Sequence, residues 1–193
     1  MSFHGSTGGK RLSIPKTNKY FTKDLYWLLG FILGDGFISK YRFEIALGSD
    51  EKLNKYLFDL CVKFFGKAKM VGGLPRTKVL RVYSKQAVDL LKYSGLVESK
   101  EKKAKDKEIP EQIFRLPITH RRAFISGFLS ADGYRASKKR WQVGIASKKL
   151  VNDLRLLCIS SGFICGKISE RRFTIQAPGS PKPINAIMYR LVN

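Results

Sequence analysis

The chain has 193 residues, room for one domain or for two small halves that share a core. Its 37 Lys and Arg against 15 Asp and Glu leave a formal charge of +22, while a hydrophobic content of 44% is too high for a disordered basic tail. No apolar run approaches the ~20 residues of a bilayer crossing, no secretory h-region opens the sequence, and three cysteines without a CxxC pair, beside two histidines, exclude a structural zinc site. So large an excess of positive charge implies a polyanionic partner. Nucleic acid comes first, because neutralised phosphates release counterions and drive association. Residues 1–20, rich in Gly, Ser and Lys, read as a basic arm. Thr22 is placed to N-cap an apolar helix over Lys23–Asp35. A strand pair follows within 36–47, where Phe43, Ile45 and Leu47 alternate, and then a helix over 50–65 with Leu53, Leu57, Leu60 and Cys61 at helical spacing. Strands at 68–71 and 79–83 flank a Gly72-Gly73-Leu74-Pro75 turn, and a helix closes this part at Lys85–Tyr93. The charged run 98–108 (ESKEKKAKDKE) reads as a solvated linker with a helical turn or two. A helix over 120–132, with Thr119 as its cap, opens the second part. Strands at 134–136 and Trp141–Ile145, a helix at Lys148–Ser160, strands at 164–169 and 173–176, and a closing helix at 184–191 complete it.

The two parts are copies. Shifted by 97 residues, Gly30, Phe31, Asp35 and Gly36 fall on Gly127, Phe128, Asp132 and Gly133. In the same register Lys52, Leu53, Leu57, Leu60 and Cys61 fall on Lys149, Leu150, Leu154, Leu157 and Cys158. The hairpins align better at 98. The predicted order in each copy is αββαββα. Cys61 and Cys158 sit at equivalent places on apolar helix faces and are expected in the core, as are Tyr26 and Trp27.

Gly30 and Gly34 lie four apart, as do Gly127 and Ala131, so each first helix has one face of small residues on which the other can pack closely. Each of these helices then ends in Asp, where the helix dipole disfavours a carboxylate by a few tenths to ~1 kcal/mol. Parallel packing about a pseudo-twofold axis brings Asp35 and Asp132 together, and two close carboxylates repel unless a proton or a divalent cation neutralises them. The carbonyls of Gly34 and Ala131, unpaired at the helix ends, are further oxygen donors. Gly36 and Gly133 are expected to supply a permissive backbone for the turn into the hairpin.

Leu28-Leu29-Gly30-Phe31-Ile32-Leu33-Gly34-Asp35-Gly36 and Ile125-Ser126-Gly127-Phe128-Leu129-Ser130-Ala131-Asp132-Gly133 resemble the signature of the LAGLIDADG homing endonucleases, in the single-chain, two-motif, intron-encoded form. The resemblance covers roughly residues 21–193. Leu33-Gly34 and Ser130-Ala131 depart mildly from the acidic residue and Ala that the family often has, while both Asp-Gly pairs are kept. It implies an α+β fold of two pseudo-symmetric αββαββα repeats, with the motif helices at the centre and two antiparallel sheets forming a DNA-binding saddle. The implied divisions are an arm at 1–20, repeats at 21–97 and 120–193, and a linker at 98–119.

The resemblance also implies a site-specific, metal-dependent double-strand DNA endonuclease, a monomer that leaves short 3′ overhangs in a long, quasi-palindromic target. Asp35 and Asp132 would be catalytic metal ligands, with Gly34 and Ala131 as carbonyl donors to Mg²⁺, for which Mn²⁺ or Ca²⁺ can substitute. Lys85, Arg135 and Gln142 are candidates for ordering solvent or neutralising the transition state. Lys40, Arg42, Lys69, Arg76, Lys78 and Arg81 in the first half are expected to contact DNA. So are Lys138, Lys139, Arg140, Gln142, Lys167, Arg171, Arg172 and Gln176 in the second. Strand alternation sets Arg42 and Glu44 against Phe43 and Ile45, and Arg140 and Gln142 against Trp141 and Val143. An intron RNA maturase and a DNA-binding regulator on the same scaffold are the alternatives. An intein endonuclease ranks lower, since no splicing blocks flank the repeat. The expected location is the cytoplasm of a prokaryote, an archaeon foremost, or an organelle, with no membrane association.

Overall fold

The computed structural model describes residues 21–72, 78–96, 104–135, 140–175 and 184–193. The first half runs α1 (Lys23–Asp35), β1 (Gly36–Ile38), β2 (Arg42–Leu47), α2 (Glu51–Phe65), β3 (Lys69–Gly72), β4 (Lys78–Tyr83) and α3 (Lys85–Tyr93). A 3-10 turn (Ala104–Asp106) and the short helix α4 (Glu111–Phe114) occupy the described part of the linker. The second half runs α5 (Ile118–Asp132), β5 (Gly133–Arg135), β6 (Trp141–Ile145), α6 (Lys148–Ser160), β7 (Ser169–Ile175) and β8 (Ile184–Val192). Each half forms a four-stranded antiparallel sheet of the same topology, β1-β2-β4-β3 and β5-β6-β8-β7. The α+β architecture with repeated αββα units is therefore as expected. No helix among the described residues is long and apolar enough to cross a membrane.

Local rules explain most boundaries. Thr22 Oγ1 accepts from the N–H of Leu25 at 3.4 Å, so the predicted cap starts α1. Asp50 accepts from the N–H groups of Lys52 and Leu53 and starts α2. Thr119 does not cap α5. That helix begins two residues earlier, behind Pro117, whose fixed φ suits a helix entrance without a side-chain bond.

The closing helix expected at 184–191 is instead strand β8. Ile184, Ile187, Met188 and Leu191 do match a helical spacing, but of the last three only Leu191 is fully buried, and Ile187 is 42% exposed. What decides the conformation is the free edge of β6, whose backbone groups need a partner. Residues Tyr189–Val192 fill that ladder, in the place β4 takes in the first half. The predicted strand at 164–169 is likewise irregular until Ser169, where β7 starts and pairs with β8 along its whole length.

One core runs through both halves. Phe43, Ile45, Leu80 and Val82 come from the first sheet, and Val143, Ile145 and Leu191 from the second. Leu57, Leu60 and Cys61 of α2 and Leu154, Leu157 and Cys158 of α6 cover them. Full burial of each large side chain contributes about 1.5–3 kcal/mol. Cys61 and Cys158 are core residues as predicted, and burial pushes the Cys61 thiol up to about 12 and that of Cys158 higher still. Tyr26 is buried at the interface, its ring edge-on to His120, while Trp27 is half-buried between Phe31 and Tyr56.

Candidate active site at the paired helix ends

α1 and α5 pack in parallel through their small residues. A methyl group added at Gly30 would strike the backbone of Phe124 and Phe128, one at Gly127 would strike the carbonyl of Trp27, and one at Gly34 would lie 2.7 Å from Cβ of Ala131. Contacts thus advance along both helices in the same direction and carry the two C-termini to one place. Gly34 at the end of α1 faces Asp132 at the end of α5, with a Cβ there 3.4 Å from Oδ2 of Asp132.

Gly36 and Gly133 play a different part from the one expected. Their φ values of −83° suit any residue. The need for glycine is steric, because a Cβ at either would run into the carbonyl oxygen of Ile32 or Leu129. The close approach lets each helix pass straight into the first strand of its sheet.

Asp35 and Asp132 are open to solvent on one side and backed by protein on the other. Lost hydration pushes both carboxyls above the ordinary range. The charge of Asp35 pushes Asp132 up further, and Lys107 opposes the rise in both. Lys107 is the residue that the sequence reading missed. Its ammonium donates to the carbonyl oxygens of Leu33 at 2.8 Å and Gly34 at 3.0 Å, two of the acceptors that the end of α1 leaves without an intrahelical donor. Burial holds the Lys107 amine below its ordinary value, with the charges of Asp132 and Asp35 pulling the other way.

The backbone of Lys107 is held from the second half. Ser147, fully buried, donates to the Lys107 carbonyl at 2.6 Å while its oxygen also caps α6 by accepting from Leu150. Buried Asp153 accepts from the N–H of Ile109 at 3.3 Å and pairs with Lys149. The linker is therefore a strap that delivers one cation to the helix ends. No sequence signal separates Lys107 from its neighbours in the run 102–107, because the strap is set by the path back to α5.

The two carboxylates outweigh the one ammonium and leave a net negative set of hard oxygen donors, while the Gly34 carbonyl, expected to be unpaired, already accepts from Lys107. That donor set fits a divalent cation of the Mg²⁺ or Ca²⁺ kind. No cluster of three or more His, Cys, Asp or Glu ligands exists among the described residues, so protein carboxylates alone do not complete a coordination shell.

Of the three predicted auxiliary residues, Lys85 lies away from the helix ends, while Gln142 and Arg135 stand on the strand pair that α5 enters. Gly36 is paired with Ile45, and Ile45 with Leu80, so Asp35 lies level with Ala46 and Val79. Lys85 lies two residues beyond Tyr83, past the opposite end of β4, a span of roughly 13 Å along the strand. Gln142 stands opposite Tyr134 and its carbonyl oxygen accepts from Arg190. Arg135 ends β5 opposite Trp141.

Arg42, Lys69 and Arg81 lie on the outer face of the first sheet, with Phe37 and Tyr83. Lys78 is paired with Leu47 and has the parity of the helix-facing side, so its exposure comes from the strand end. Lys40 is exposed at the β1–β2 tip. In the second sheet Arg171 has the outward parity of Met188, whereas Arg172 shares the opposite parity with Glu170, to which it is paired at 2.9 Å. Arg140 and Lys167 are exposed just before β6 and β7. Arg190, on the outer face opposite Gly144, is a basic residue that the helix expectation hid. Arg76, Lys138, Lys139 and Gln176 lie outside the described residues, as does the arm at 1–20.

The architecture matches solved structures of the homing endonuclease I-DmoI. Its mesophilic variants superpose with a TM-score of 0.60 at 19% identity, covering 90% of this chain and 89% of theirs. Its complex with DNA and Mn gives 0.59 at 19% identity, covering 88% of each chain. Full-length DUF199/WhiA from Thermatoga maritima gives 0.53 at 11% identity, covering 93% of this chain and 52% of that one. At these identities the likeness shows the fold. In sequence, the replication factor C small subunit of Methanocaldococcus jannaschii is 31% identical over 170 residues, 84% of this chain and 9% of that protein. The iron-sulfur cluster assembly SufBD family protein ML0593 of Mycobacterium leprae is 28% identical over 158 residues, 77% of this chain and 17% of that protein. The chain thus spans less than a fifth of the length of these curated relatives. No protein-family model matches the sequence.

Proposed function

We propose that this chain, which has the two-motif LAGLIDADG fold of the homing endonucleases, is a divalent-metal-dependent DNA endonuclease that cuts both strands at a specific site. The observation that carries the reading is the convergence of Asp35 and Asp132 at parallel helix ends, beside Lys107. Nothing in the packing of α1 on α5 requires acids there, and both the helix dipole and mutual repulsion oppose them. A rule of local stability broken twice at equivalent positions marks chemistry. Segments similar to this chain also lie within longer proteins of unrelated kinds, a replication factor subunit and an iron-sulfur assembly protein among them. That recurrence favours an activity independent of the surrounding protein.

Asp35, Asp132 and the Ala131 carbonyl are the groups that would hold the cation, with the Gly34 carbonyl open to it only through the lone pair that Lys107 leaves. Bound there, a divalent ion would lower the pKa of water and neutralise charge on a phosphodiester. Lys107 holds one positive charge at the same place, anchored through Leu33 and Gly34, where it can meet a phosphate oxygen. The sheets, each entered directly from a motif helix, set the duplex against these groups. The net charge of +22 supplies attraction to the backbone.

The test uses Asp35→Asn with Asp132→Asn. Cleavage of duplex DNA in Mg²⁺ is expected to disappear while electrophoretic mobility shifts of the same DNA persist. Undiminished cutting by the double variant would refute the assignment. Sequence-specific binding without cutting by the wild type would favour a regulator, and selective binding of structured RNA a maturase.

A further inference from the structure

The outer face of the first sheet carries one acid among its described strand residues, Glu44, at the centre of β2. Its carboxylate accepts from Nε of Arg42 at 2.6 Å and pairs with Nε of Arg81 at 2.9 Å. Arg81 also donates from Nη1 to the Tyr83 hydroxyl at 3.1 Å, and both guanidinium groups stand over the Tyr83 ring, 5.9 and 5.7 Å from its centre. Burial pushes the Glu44 carboxyl up, but the bonds from Arg42 and Arg81 outweigh it and hold the group below the ordinary range.

A carboxylate on a DNA-facing sheet repels phosphate and weakens general affinity, so attraction does not account for it. What Glu44 does is fix two long side chains in advance. A free arginine has many rotamers to lose on binding, and ordering it beforehand removes that entropy cost from association. With Nε tied down, the terminal nitrogens of Arg42 make no hydrogen bond to a described residue and keep the fork geometry that matches O6 and N7 of guanine. Both arginines retain exposed surface, with side chains 40% and 26% accessible.

We propose that Glu44 is a specificity-positioning residue, which presets Arg42 and Arg81 to read guanines at neighbouring positions in one half of the DNA target. The inference rests on the reading of the chain as a DNA-binding endonuclease. The equivalent position in the second sheet is Gln142, one of a matched series in which Phe43, Glu44 and Ile45 correspond to Trp141, Gln142 and Val143. There a neutral amide holds one arginine, Arg190. The two sheets therefore read different sequences, and the target has unequal halves.

The experiment is binding selection from a randomised duplex library in EDTA, with cleavage of the same library in Mg²⁺ run beside it. The proteins are the wild type and Glu44→Gln, whose folding is checked by thermal unfolding. The wild type is expected to select guanine at two neighbouring positions of one half-site. In Glu44→Gln that preference falls at least about fivefold, as expected when a contact of this kind is loosened, with the other positions and the other half-site unchanged. Unaltered preferences in the variant, equal flattening at every position, or no guanine preference in the wild type would overturn the proposal. If the wild type selects sequences but cuts none, the nuclease reading fails while the selected sequences still decide the role of Glu44.

Discussion

Lys107 shows what one residue can add to a site built by two helices. Asp35 and Asp132 bring two negative charges to a partly dehydrated place, and Lys107 returns one positive charge while satisfying the carbonyls of Leu33 and Gly34. Replacing it by Met keeps the length of the side chain and removes the charge. Single-turnover cleavage by Lys107→Met is expected to fall roughly 10²–10³-fold, the range for loss of one preorganised electrostatic contact, with DNA affinity little changed in a mobility-shift titration. The carboxylates predict a pH effect of definite sign. Both have folded-state pKa values raised above the ordinary 3.8, so the folded chain binds protons more tightly than the unfolded chain. The stability this contributes is fully present below that value and is lost as pH rises through the raised values. In EDTA, the melting temperature of the wild type should therefore drop relative to Asp35→Asn/Asp132→Asn as pH climbs from the acid range to neutrality. Added Mg²⁺ should raise it for the wild type alone, as a ligand of the native state does. The two acids were legible in the sequence because Asp at a helix C-terminus breaks a local rule in both copies. Lys107 was not, since one lysine in a charged run looks like any other until the strap is placed by Ser147 and Asp153.

At the scale of elements, the small-residue faces of α1 and α5 are what bring the acids together. Gly127→Ala would drive a methyl group into the Trp27 carbonyl and force the helices apart. It should destabilise the fold by about 1–3 kcal/mol, the usual range for overpacking, read by denaturant unfolding, and reduce cleavage beyond what the lost stability explains. Ser147→Ala removes both the cap of α6 and a hydrogen bond to the strap, so destabilisation of about 1–2 kcal/mol should come with slower cutting. An effect on stability alone would mean that the strap keeps its place without Ser147. Elements whose pattern is local, such as α1, α2, α3, β6 and α6, were readable from caps and periodicity. β8 was not, because its conformation is dictated by the edge of β6, a partner 44 to 50 residues back in the chain. That misreading also concealed Arg190.

Over the whole molecule, two sheets of like topology hang from one helix pair, and a large positive charge surrounds a small negative centre. DNA affinity should fall steeply with salt, the slope of log K against log salt being about −0.9 for each phosphate neutralised. The loss on Asp35→Asn/Asp132→Asn should be in cutting and not in that slope. The measurement that tests the account most directly is sequencing of the ends released from a randomised duplex library in Mg²⁺, with the Asp35→Asn/Asp132→Asn protein as control. The expected result is paired breaks on the two strands at a fixed offset, centred in a quasi-twofold site with unequal halves and absent from the control. Ends no more frequent than those of the control, or breaks scattered without a common sequence, would contradict it.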